Sequence, residues 1–293
     1  MEKGQIVREF LNKGVLLSRD MLESINDGNI GFYLEKACPE TIVLSPIKAG
    51  VHVEIWKPEI KSRLAPEDFH RHILDRYNLL RDMIAKKTAA ISINTARRES
   101  GEKTIIGVVK ETTSHGFVIE DPTGEMEVMS TKGVAAGDVI GVTGQVKEGL
   151  LLESGVTYPD VPMIRDYGKA DLLLDVQSRE NCLLLTDRNT ISEKIGTIAL
   201  LRIKKSGGAA TILALPGSRS KEELMSILKK RYISTHPHQS NLGIIEPVPD
   251  VLIADSPDSF SVVYKGVLIV SPGSKTARIN LQTKEVEFVD NNA

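Results

Sequence analysis

Thr104-Ile-Ile-Gly-Val-Val-Lys110, Gly116-Phe-Val-Ile-Glu120 and Glu125-Met-Glu-Val-Met-Ser130 follow one another closely, with Asp121-Pro-Thr-Gly124 between the last two. Two more runs of the same kind come next, Asp138–Val146 and Leu150–Val156. Alternating apolar and polar residues over such lengths mark half-buried strands. Asp121-Pro-Thr-Gly124 has the proline and glycine of a tight turn, and Gly133, Gly137 and Gly149 mark other breaks. The size and rhythm of these five short strands are those of a small OB-type β-barrel, which we place at 101–160.

Working outward, the period changes on both sides. Upstream, Phe69, Ile73, Tyr77, Leu80 and Ile84 recur at helical spacing, which predicts a helix from Pro66 to Lys87 with its bases on the other side. It belongs to a connector, 46–100, that also holds a β-like run at 51–56; another such run, 41–44, closes the segment before it. Residues 1–45 read as a helical segment, with one helix over 2–12 and a second from about Asp20 to Gly28. Downstream, Leu172–Leu174, Cys182–Leu185, Ile195–Ile203 and Ala209–Leu215 look like buried strands. A helix is expected over Lys221–Tyr232 behind the capping pair Ser220 and Glu223. Val251–Ala254, Ser261–Tyr264 and Val267–Ser271 resume the strands, and the chain ends in alternation over 279–289. The expected fold class is α+β and multidomain: a helical start, a five-stranded barrel and a reduced α/β domain over 161–293.

Composition narrows the function. The chain has 293 residues, 41% hydrophobic and 26% charged, which excludes wholesale disorder and a coiled-coil rod. No apolar run reaches the roughly 20 residues that span a bilayer, so no membrane partner and a cytoplasmic location are expected. Cys38 and Cys182 stand far apart, so neither a zinc knuckle nor a disulfide framework is indicated. The net charge of −2 hides a mosaic. Residues 57–98 carry ten bases and five acids, residues 202–231 eight bases and two acids, and the barrel four bases and ten acids. An acidic barrel with few aromatics opposes phosphate binding and favours a protein contact.

Several motifs, in order, resemble the small subunit of archaeal family-D DNA polymerase, a relative of the B-subunits of eukaryotic replicative polymerases. Glu9-Phe-Leu-Asn-Lys-Gly-Val-Leu-Leu-Ser18 resembles the family's start. Lys61-Ser-Arg-Leu-Ala-Pro-Glu-Asp-Phe69 and Arg76-Tyr77 resemble the helix before its OB domain. Ile106-Gly-Val-Val109 and Ile119-Glu-Asp-Pro-Thr-Gly124 match its OB strands, and Tyr158-Pro-Asp-Val-Pro162 the exit toward a metallophosphoesterase domain. Val248-Pro-Asp-Val251 and Tyr264-Lys-Gly-Val-Leu-Ile-Val-Ser-Pro-Gly-Ser274 resemble that domain's last strands.

The resemblance implies a two-metal phosphodiesterase centre, and this chain departs from it. Where the family has Asp-x-His, the nearest equivalent is Asp175-Val-Gln177. Where it has Pro-Gly-Asn-His, this chain has Pro216-Gly-Ser218-Arg219-Ser220. Where it has Gly-His-x-His, this chain has Asp255-Ser256-Pro-Asp258. A metal pair must clamp both oxygens of an in-line displacement, so these losses imply that the ancestral 3′–5′ exonuclease site is gone and that no cofactor is required. His236 and His238, with Asp255, are the remaining candidates for a reduced metal site. The function implied is a non-catalytic accessory subunit that scaffolds the large catalytic subunit of a DNA-directed DNA polymerase. DNA would be touched weakly or indirectly, through Lys86, Lys87, Arg97 and Arg98. A single-stranded DNA-binding module and a residual metal-dependent exonuclease are the alternatives.

Overall fold

The computed structural model describes residues 3–12, 16–17, 22, 25, 30, 33–34, 43–44, 51–57, 66–179, 182–186, 192–205, 208–233 and 243–291. Helix α1 (Lys3–Asn12) packs Ile6 and Phe10 against Ile25 and Tyr33. The strands β1 (Leu16–Leu17) and β2 (Val43–Leu44) pair in parallel. Most of the second helix expected before Gly28 lies outside the described residues. Next come β3 (Val51–Trp56), α2 (Pro66–Ala85) and the four-residue α3 (Ile93–Ala96). Helix α2 ends at Ala85 rather than at Lys87. Of its stripe, Tyr77, Leu80 and Ile84 pack on Ile106 and Val139, while Ile73 is exposed.

Five strands close into a barrel: β4 (Gly101–Thr113), β5 (Gly116–Asp121), β6 (Gly124–Met129), β7 (Val139–Lys147) and β8 (Leu150–Thr157). Their order is β4-β5-β6-β8-β7, antiparallel throughout except for the parallel pair β6–β8. One long strand serves both halves. The first part of β4 pairs with β7 and the second with β5, across an irregularity between Val109 and Glu111 that lets the strand bend. At the crossing, a Cβ on Gly107 would stand 2.4 Å from the Glu120 carbonyl oxygen, so only glycine fits. Phe117, Ile119, Val128, Ile140, Val142 and Leu151 fill the interior. Ile93 and Ala96 of α3 complete that core. The Ile93 amide donates to Asp121 Oδ2 at 2.9 Å and the Asn94 amide to Thr123 Oγ1 at 3.1 Å, so the turn between β5 and β6 holds α3 in place.

The last part of the chain forms two stacked sheets. Its elements are β9 (Leu173–Arg179), β10 (Cys182–Thr186), β11 (Ser192–Ile195), β12 (Ala199–Lys205), β13 (Gly208–Ser218) and α4 (Lys221–Lys230). They are followed by β14 (Val251–Asp255), β15 (Phe260–Tyr264), β16 (Val267–Ser271), β17 (Thr276–Asn280) and β18 (Val286–Val289). The apolar run Ile195–Ile203, expected as one strand, is two strands in different sheets: Gly196 breaks it, and apolar continuity hid the break. One sheet has the order β11-β10-β9-β17-β18; the other is β15-β16-β14-β13-β12-β3, with β13, β14 and β16 mutually parallel. Strand β3, from the segment read as connector, is thus the edge of the six-stranded sheet.

Leu174, Val176, Leu183 and Ile279 of one sheet meet Leu201, Ile212, Ile253 and Val270 of the other in a shared core. Each such side chain contributes about 1.5–3 kcal/mol on burial. The opposite face of the six-stranded sheet packs Leu213, Leu252 and Ile269 against Leu224 and Leu228 of α4. The whole is mixed α+β and rich in strands. Among the described residues no helix is long and apolar enough to cross a membrane.

Candidate functional site

Five of the positions singled out in the sequence, Ser218, Arg219, Asp255, Ser256 and Asp258, gather at one edge of the sandwich, where the parallel strands β13 and β14 end. The chain leaves β13 through Pro216-Gly217-Ser218-Arg219-Ser220, and Gly217 has φ +95°, a conformation open to glycine. The turn is closed by the backbone of Arg219, whose N–H donates to the Asp255 carbonyl at 3.0 Å. Its side chain folds back: Nη1 donates to the carbonyls of Pro216 at 2.8 Å, Gly217 at 3.1 Å and Leu215 at 3.4 Å. Burial pulls the Arg219 guanidinium below its ordinary pKa, and Glu223 opposes the shift. Ser220 then caps α4. Its hydroxyl accepts from the Glu223 N–H at 3.2 Å, and its own N–H donates to Glu223 Oε2 at 2.7 Å.

Asp255, at the end of β14, faces the interior between the sheets. Its Oδ1 accepts from Ser178 Oγ of β9 at 2.6 Å, which ties the two layers together. Ser256 is buried beside it, and Asp258 is exposed in the following loop. Asp175 and Gln177 do not join this edge. Leu174 and Val176 point into the core, so the period of two sends Asp175 and Gln177 to the outer face of the other sheet. There Asp175 accepts from Arg278 Nε at 2.9 Å, and Gln177 donates to Thr276 Oγ1 at 2.8 Å.

This donor set does not fit a metal pair. The turn after β13 holds a guanidinium, which cannot ligate a cation, Asp255 is held by a serine, and Asp175 is ion-paired on another face. No group of three or more His, Cys, Asp or Glu is placed to hold a metal among the described residues. His236 and His238 lie outside them.

The basic candidates divide. Lys86 is exposed in the turn after α2, and Arg97 and Arg98 are exposed at the end of α3. Lys87 instead donates to the carbonyls of Tyr158, at 3.2 Å, and Pro159. Burial lowers its pKa, with Asp160 opposing. In 202–231 most bases have internal partners: Lys204 with Glu54 at 2.5 Å, Lys230 with Asp138 at 2.8 Å and Lys229 over the Tyr158 ring at 4.1 Å. The buried Arg231 donates from Nε to the Ile245 carbonyl at 2.8 Å.

The chain has a detectable relative. It is similar to the DNA polymerase II small subunit of Thermoplasma acidophilum. The two are 27% identical over 192 residues, which cover 55% of this chain and 39% of that protein. The chain therefore spans about two fifths of the relative's length. No protein-family model matches it.

Sequence reasoning missed two features. One is a cavity of about 790 Å³ at the opposite ends of the parallel strands, lined by Trp56, Leu200, Leu213, Ile244 and Arg165 among others. Its floor needs β3 beside β12, a pairing of remote segments with no local signature. The other is the ring of contacts around Asp160, whose partners Lys229, Tyr264 and Lys265 are remote in sequence.

Proposed function

We propose that this protein is a non-catalytic accessory subunit of a replicative DNA polymerase, a scaffold for the large catalytic subunit. The observation that carries the reading is the similarity to a DNA polymerase II small subunit. The architecture supports it. The closed order β4-β5-β6-β8-β7, with a parallel pair between the third and fifth strands and a bent first strand, is what an OB-type barrel requires. The sandwich of 161–293 then reads as a degenerate metallophosphoesterase-like domain, with Arg219 and Ser218 in place of metal ligands. On this reading the acidic barrel offers a surface to protein, and DNA contact is confined to Lys86, Arg97 and Arg98, which meet phosphates without distinguishing bases.

Co-expression with the family-D large catalytic subunit of the same source tests the proposal. A stable complex in size-exclusion chromatography, with polymerase activity above that of the large subunit alone, is the expected result. Two separate peaks and unchanged activity would overturn it. An Mn²⁺-dependent exonuclease activity of the purified small chain, lost in Asp255→Ala, would restore the enzymatic alternative.

A further inference from the structure

Between β8 of the barrel and β9 of the sandwich runs Tyr158-Pro-Asp-Val-Pro-Met-Ile-Arg-Asp-Tyr-Gly168. A linker between two bodies is by default mobile. This one is fastened along most of its length. Lys87, which follows the helix packed on the barrel, donates to the carbonyls of Tyr158 and Pro159. The N–H of Asp160 donates to the Lys229 carbonyl at 2.8 Å. The Asp160 carboxylate accepts from the Tyr264 hydroxyl at 3.0 Å and from Lys265 Nζ. Arg165 donates to the carbonyls of Val248 and Pro249, each at 3.0 Å, and the Gly168 N–H donates to Asp250 Oδ1 at 2.8 Å.

The conformations adopted here are unfavourable ones that the contacts must sustain. Asp160 has φ 49° and Lys265 has φ 44°, both left-handed, and they are partners of one another. Such backbone persists only where its surroundings hold it. Tyr167 lies between Arg165 and Lys284, whose charged groups stand 4.7 and 4.6 Å from its ring centroid. The ring lies so close to Gly266 that a Cβ there would come within 2.3 Å of it. Two further contacts bypass the linker. Lys230, in α4 of the sandwich, pairs with Asp138 at the base of the barrel, where Asp138 is 8% exposed. Arg76 of α2 stacks on the Tyr232 ring at 4.6 Å.

We propose that this knot joins barrel and sandwich into one cooperative unit, so that any partner touching both meets them at a fixed relative orientation. The proposal does not depend on which partner that is. A preset orientation removes an ordering cost from binding. The direction of one titration agrees with the geometry: burial raises the Tyr264 phenol, and its hydrogen bond to Asp160 raises it further.

Differential scanning calorimetry on the full chain tests this. Wild type should unfold in one transition with equal calorimetric and van't Hoff enthalpies. The variant Lys87→Met/Lys230→Met/Tyr264→Phe should split it into two resolved transitions. Tyr264→Phe alone removes a single hydroxyl and should already lower the ratio of van't Hoff to calorimetric enthalpy. Lys275→Met, which breaks an exposed pair with Asp290 inside the sandwich, should leave one transition. Two transitions in wild type would overturn the proposal, and so would a single transition, with equal enthalpies, in both knot variants. If the triple variant does not fold, the enthalpy ratio of Tyr264→Phe decides.

Discussion

Residues 57–98 and 202–231 carry ten and eight bases, and by charge alone they are equivalent polyanion contacts. The fold treats them differently. In 202–231, Lys204, Arg219, Lys229, Lys230 and Arg231 are turned to carboxylates, carbonyls or a ring of the same chain. In 57–98, Lys86, Arg97 and Arg98 stay exposed, while Lys87 is bonded to two carbonyls and Arg76 is stacked on a ring. A segment's formal charge therefore says little about its surface. The strands of the sandwich bring acids and bare carbonyls to the second stretch, whereas the ends of α2 and α3 reach solvent.

The largest effect that would test this contrast is on Arg231, 4% exposed and bonded to the Ile245 carbonyl. Arg231→Ala should lower stability by about 2–3 kcal/mol, the scale of a charged hydrogen bond with its partner left buried. Urea unfolding measures it, and a loss below about 0.5 kcal/mol would return Arg231 to the ordinary surface class. Arg219→Ala comes next, at about 1–2 kcal/mol for a half-buried guanidinium on three carbonyls. Added Mn²⁺ should not restore that loss, as thermal melts with and without the ion would show.

For the first stretch the readout is binding. In the complex proposed above, Lys86→Ser/Arg97→Ser/Arg98→Ser should flatten the salt dependence of duplex DNA affinity by up to about 0.9 per lost phosphate contact. Lys229→Ser/Lys230→Ser should leave the slope unchanged, and an equal change in both would erase the distinction. The smallest effect concerns Glu193, whose pKa is raised by burial, with Lys57 opposing. A raised acid costs stability as pH climbs from the ordinary carboxylate range through its folded value. Glu193→Gln should therefore stabilise the protein slightly at neutral pH and make no difference in acid, a dependence that melts between pH 3 and about 7 would reveal.

The barrel was legible because its strands are consecutive and alternate, so local pattern and global pairing agree. Its cap was not: Ile93–Ala96 is too short to show a helical period, yet Ile93 is wholly buried among the barrel strands. At the candidate site, the cap that Ser220 and Glu223 form at the start of α4 could be read directly. The position of Asp175-Val-Gln177 could have been: Leu174 and Val176 must face the core, which sends their neighbours outward. Ser178 carried the same signal in the other sense, since period two returns it inward toward Asp255. The partners of Lys87, Lys230 and Asp160 lie far away in sequence, and nothing local announces them.

The place of β3 has a further consequence. Val51–Trp56 pairs with Ala199–Lys205, so the chain starts an edge of the sandwich, leaves to build α2, α3 and the whole barrel, and only then returns. Topologically the barrel is an insertion. A nascent chain emerging from the ribosome therefore carries β3 unpaired while the barrel, whose strands are neighbours in sequence, is completed. Early closure of the barrel draws the two ends of the insertion together and shortens the loop that β3 must close to find β12. Until then β3 is an open edge, the kind of segment that invites wrong pairings. Its His52 and Glu54, charged or polar and set side by side, are suited to discouraging them.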